Sequence, residues 1–150
     1  VLQGGAETLT AYGVNPPAPM TVNENDWQAT AEALRAAVPP AHVEFLDSLE
    51  RYIVLGDYAF VHAGVDAGRP LEKQTDEDLY WVRERFLASK RPFSYRVVHG
   101  HTPVDKPYAD DRRIAVDTGA YASGTLTAAR FEGEDVSFVA VTSRPSFRAG

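Results

Sequence analysis

Val97-Val98-His99-Gly100-His101-Thr102-Pro103 decides how this chain is to be read. An apolar run leads straight into two histidines one residue apart, on a turn closed by proline. That is a strand delivering polar groups to its carboxyl end, where open α/β sheets bind their ligands. Tyr58-Ala59-Phe60-Val61-His62-Ala63-Gly64 has the same grammar and delivers His62. Ile114-Ala115-Val116-Asp117-Thr118-Gly119-Ala120 repeats it with a carboxylate in the histidine's place. Three apolar strands that each end in a metal-capable or acidic residue, with glycine close behind, point to one shared site.

Outward from these strands, Arg51 to Leu55 and Asp57 to Val61 read as a β-hairpin turning at Gly56-Asp57. Between His62 and His99, Thr75-Asp76-Glu77-Asp78 is a helix start, with Thr75 as N-cap and Asp78 reaching back. Leu79, Val82 and Phe86 then fall on one face of a continuing helix, and Arg83 falls elsewhere. Lys106 to Arg113 reads as a charged loop, and Tyr121 to Gly124 as another. A closing hairpin pairs Thr125 to Phe131 with Val136 to Val141 through Gly133-Glu134. Upstream, a short helix stops at Gly13, and Asn15-Pro16-Pro17-Ala18-Pro19 is a surface connection. Asn25 caps a helix to about Ala37, and a second runs from Ala41 to Leu49, the two reading as a packed pair within a helical insertion over 15–50. Residues 143–150 read as a frayed tail. Strands joined mostly by short loops predict mixed or antiparallel sheets, an α/β and α+β architecture.

Composition narrows the function classes. With 150 residues the chain fits one domain, and a formal net charge of -6 argues against non-specific nucleic-acid or anionic-membrane binding. There is no cysteine, so any metal must bind through nitrogen and oxygen. No apolar run approaches the ~18 residues of a membrane helix, and a cytoplasmic location is the expectation. The opening Val1-Leu2-Gln3-Gly4-Gly5 reads like the middle of something, the back part of a longer protein.

His62 and His101 are the candidate metal ligands, since neutral imidazole is the commonest nitrogen donor and each precedes small or turn residues. The bland alternative is a histidine that ends a strand and bonds a carbonyl. His99 is either a supporting residue or packed on the far side, because neighbours one apart on a strand point to opposite faces. Arg83 is the candidate phosphate clamp, with pairing to Asp78 or Glu84 as its alternative. Asp117 most simply orders its turn through its carboxylate.

Phe60-Val61-His62-Ala63-Gly64, Asp78-Leu79-Tyr80-Trp81-Val82-Arg83-Glu84, His99-Gly100-His101-Thr102-Pro103-Val104 and Val116-Asp117-Thr118-Gly119-Ala120, taken in series, resemble the C-terminal half of the bacterial serine/threonine phosphoprotein phosphatases. Those belong to the calcineurin-like metallophosphoesterase superfamily. The resemblance runs from about Gly4 to about Val141. It implies the C-terminal half of a four-layer αββα sandwich that hydrolyses phosphomonoesters with a water activated by two divalent metals, manganese first, with iron, zinc and magnesium also suited. It implies that His62 and His101 ligate the second metal and that Arg83 holds substrate phosphate.

The family's upstream motifs, Gly-Asp-x-His-Gly, Gly-Asp-x-x-Asp-Arg-Gly and Gly-Asn-His-Glu, do not occur. The expectation is therefore an enzyme complete only with an N-terminal half, its exposed strand edges covered by that half or by a second copy. The substrate implied is a phosphoprotein or a small phosphorylated molecule. A dinucleoside polyphosphate hydrolase of the same superfamily and a non-catalytic remnant are the alternatives.

Overall fold

The computed structural model describes residues 4–17 and 23–143. The first three residues, Ala18 and Pro19 of the proline connection, residues 20–22 and residues 144–150 of the tail lie outside that range. The chain divides into two compact units, Val1–Leu49 and Glu50–Gly150.

In the first unit, α1 (Gly5–Ala11) stops at Gly13, whose φ of 75° is open to glycine at little cost. Helix α2 (Glu24–Ala37) is capped by Asn23 rather than Asn25. Asn23 is the residue three before Asp26, and the reciprocal bonds of a capping box need that spacing. Helix α3 (Pro40–Asp47) starts on proline, whose missing N–H costs nothing in a first turn. Neither α2 nor α3 buries a residue, so the expected packed pair is not formed; Phe45, Leu46 and Leu49 are exposed.

The second unit is built on a five-stranded mixed sheet. Strands β1 (Ile53–Leu55) and β2 (Tyr58–Phe60) form the expected hairpin, Leu55 opposite Tyr58, with Gly56 at φ 57°. Strand β3 (Arg96–His99) lies parallel to β2, and β5 (Arg113–Ala115) parallel to β3. Between them in sequence, Tyr108–Ala109 is a short strand, β4, antiparallel to β5, where the charged composition read as loop. The order is β1-β2-β3-β5-β4.

Parallel neighbours need long crossovers. The one between β2 and β3 carries a 3-10 turn, Leu71–Lys73, and two short helices, α4 (Asp76–Tyr80) and α5 (Glu84–Leu87). The continuous helix expected from periodicity is therefore broken at Trp81 to Arg83. The carbonyl of Leu79, which an uninterrupted helix would offer to the N–H of Arg83, accepts from Ala63 N at 2.8 Å instead.

Strand alternation sorts the two faces of the sheet. Ala59 and Val97 point to a core with Leu79, Val82 and Phe86. Tyr58 and Phe60 point the other way and meet Phe131 edge-on, ring centroids 4.8 and 5.7 Å apart. Phe131 belongs to β6 (Thr125–Glu132), which pairs with β7 (Asp135–Thr142) through Gly133, as the turn chemistry predicts. Tyr121 falls not in a loop but in a single helical turn, α6 (Ala120–Ser123).

Candidate functional site

Because β2, β3 and β5 run parallel, their carboxyl ends share one edge of the sheet. Backbone bonds tie the three outgoing loops together: Val61 N donates to Val98 O at 3.0 Å, Gly100 N to His62 O at 2.9 Å, and Val116 N to His99 O at 3.1 Å. Beyond the strands, Val104 N donates to Asp117 O at 2.9 Å. A cleft of about 400 Å³ opens over this edge, lined by His62, His101, Asp117 and Thr118 and roofed by residues of β6.

His62 Nε2 lies 3.1 Å from His101 Nδ1. His101 is held there by a backbone φ of 64°, the one positive φ outside glycine among the described residues. Left-handed backbone is uncommon in side-chain-bearing residues, histidine being among the more tolerant, and it gathers at functional sites. Burial, then the Arg83 guanidinium and His62, hold the His101 imidazole below the ordinary histidine range. That direction favours the neutral imidazole, the form that binds metal. Its Nε2 is buried and has no hydrogen-bond partner.

His99 is on the other face, as its parity with Val97 requires. The ring is buried, stands edge-on to Phe86 at 4.9 Å and lies within 3.2 Å of Gly100 O through Nδ1. Burial pushes its pKa down. Asp117 Oδ1 accepts from Gly119 N at 2.8 Å, inside the turn that leaves β5.

Arg83 sits in the break between α4 and α5, with φ −128° and ψ −101°. Its Nη1 donates to His101 O at 3.2 Å and lies 3.5 Å from Thr102 Oγ1. The carboxylate that the helical spacing offered it, Asp78, is taken by Arg69 at 2.8 Å and by Arg85. Arg83 thus approaches the histidine turn rather than a neighbour on its own helix. Trp81, in the same break, meets the His101 ring edge-on at 5.9 Å. Composition gave Trp81 no role; the signal available was a tryptophan off the apolar face of its segment.

The donor set fits a divalent ion in part. Two imidazole nitrogens 3.1 Å apart can each stand ~2.0–2.1 Å from one ion. An ion takes four to six donors, and no cluster of three or more histidine, aspartate or glutamate side chains capable of holding a metal occurs among the described residues.

These features bear on comparison with known proteins. No protein-family model matches the chain. Over 71 residues it is 44% identical to the bis(5'-nucleosyl)-tetraphosphatase PrpE (asymmetrical) of Halalkalibacterium halodurans. Over that stretch the two are homologues. The match covers 47% of this chain and 28% of the length of that protein, so the chain spans only part of its relative. A solved structure described as a "putative diadenosine tetraphosphatase" shares the fold, with a TM-score of 0.60 at 18% identity, over 92% of this chain and 73% of the other. At that identity the likeness is one of fold. Among the described residues no helix is long and apolar enough to cross a membrane.

Proposed function

We propose that this chain supplies the second-metal and phosphate-binding part of a metal-dependent phosphoesterase whose substrate is a dinucleoside polyphosphate. The observation that carries the reading is the convergence of His62 Nε2, His101 Nδ1 and the Arg83 guanidinium on one turn. Paired nitrogens suit a divalent ion, and a guanidinium fork suits phosphate oxygens. The homologous stretch favours a polyphosphate bridge over a phosphoprotein, the substrate that motif resemblance put first. The complete architecture in this reading is the four-layer sandwich.

When bound, divalent ions lower the pKa of a coordinated water and neutralise phosphoryl oxygens. This chain's own part is positional. His62 and His101 present ring nitrogens to one point, and the turn at φ 64° fixes their facing. Arg83 approaches the same turn and would draw phosphate oxygens into line for attack by water on phosphorus. The bond that forms is water oxygen to phosphorus, the bond that breaks is phosphorus to bridging oxygen, the leaving phosphate departs as an anion needing no proton, and the proton lost by the water passes to solvent. The remaining metal donors come from water or from polypeptide beyond the described residues.

The test is calorimetric titration of the chain with diadenosine tetraphosphate and with a phosphoserine peptide, each with 1:1 manganese, together with product analysis by chromatography. Tighter binding of the dinucleotide supports the reading. Preference for the peptide would return the phosphoprotein substrate to first place.

A further inference from the structure

We propose that Trp81 is a nucleobase-stacking platform, so that the site recognises a nucleoside polyphosphate by its base as well as by its phosphates. The inference rests on the phosphate site of the preceding section and extends it.

Trp81 is 56% exposed, although its neighbours in the same segment, Leu79 and Val82, are buried. Its N–H makes the last helical bond of α4, to Glu77 O at 3.2 Å, and the helix ends there, so no further helical turn covers its side chain. What it touches is His101, with the two rings perpendicular at 89°. Arg83, two residues on, reaches the carbonyl of that same His101. One short break in the chain thus sends an aromatic plane and a guanidinium to a single residue of the candidate metal pair.

A tryptophan with more than half its surface in water gains little by burial and leaves a broad apolar face to be covered. Beside a cation that binds phosphate, the complementary ligand is a molecule carrying an anion and a flat aromatic group on one flexible tether, which is a nucleotide. Phosphoserine and inorganic polyphosphate have the anion without the plane. Stacking on an aromatic side chain tolerates any base, so the platform predicts selection for nucleotides over base-free polyphosphates and weak discrimination among bases.

The experiment uses the whole chain with manganese in a Trp27→Phe background, so that Trp81 is the one tryptophan left of two. ATP and inorganic tripolyphosphate are titrated in parallel by fluorescence and calorimetry. The expected result is quenching of Trp81 by ATP and not by tripolyphosphate. Trp81→Ala, made with Trp27 intact, should weaken ATP about tenfold or more and leave tripolyphosphate within twofold. Trp81→Phe keeps a ring and should recover most of the loss, which separates stacking from damage to the fold. Equal weakening of both probes by Trp81→Ala, or equal affinity of wild type for both, overturns the platform while the phosphate site stands. Binding of neither probe by wild type overturns both readings.

Discussion

His62 Nε2 and His101 Nδ1 face each other at 3.1 Å although 39 residues separate them in sequence. If both rings hold one ion, either alone is a poor site, because the second donor comes without further ordering cost once the first has bound. His62→Ala and His101→Ala should each weaken manganese or zinc at least about tenfold by calorimetry, and the double variant should be little worse than either single. Additive losses would show that the two rings bind separately.

Arg83 and Arg85 differ in partner, so they should differ in phenotype. Arg83→Gln is expected to weaken inorganic tripolyphosphate about tenfold, with little change in melting temperature, because its donors reach a carbonyl and solvent. Arg85→Gln removes a partner of buried Asp78 and should lower stability while leaving tripolyphosphate affinity unchanged. Reversed outcomes would move the phosphate clamp to Arg85.

Asp78 is 1% exposed. Burial pushes its carboxyl upward, but bonds from Thr75 Oγ1 and N, with the Arg69 and Arg85 guanidiniums, outweigh burial and bring it below the ordinary aspartate range. A lowered folded-state pKa means that the unfolded chain binds the proton first on acidification. The stabilisation is therefore full above the unfolded value of ~3.9 and is lost as pH falls from there through the lower folded value. Asp78→Asn should cost about 2–4 kcal/mol at pH 7, with the difference from wild type shrinking in that acid window. Urea unfolding at pH 7, 5 and 3 measures it; a constant difference across those points would show that Asp78's charge does not matter.

Gly64 closes the His-Ala-Gly turn against α5. A Cβ there would stand 2.4 Å from Phe86 Cδ1 and 2.9 Å from Val82 Cγ1. Gly64→Ala should destabilise by about 1–3 kcal/mol, and trimming the ring with Phe86→Leu in the same chain should recover part of that. Thermal unfolding of the single and double variants tests it, and a neutral single variant would show that Phe86 moves aside freely.

Much of this architecture was legible along the chain. Apolar runs ending in His62, His99 and Asp117 marked β2, β3 and the loop after β5, and Gly56-Asp57 and Gly133-Glu134 placed both hairpins, since turn chemistry and alternation are local properties. Thr75 and Asp78 announced the capping box of α4 for the same reason. Cap choice at α2 went astray by two residues because Asn23 and Asn25 are both good caps and only reciprocal bonding with Asp26 decides.

What sequence alone determined was the set of strands and their polar ends, because side-chain period and turn residues act over a few positions. Tertiary structure decided the rest. The break between α4 and α5 exists because Ala63, sixteen residues before Leu79, takes its carbonyl, which no helical periodicity can register. The left-handed backbone of His101, the meeting of its ring with His62, and the approach of Arg83 and Trp81 to that turn all depend on parallel pairing of β2 with β3. Local propensity names the residues that can do chemistry; only long-range hydrogen bonding and packing bring their atoms within 3.1 Å.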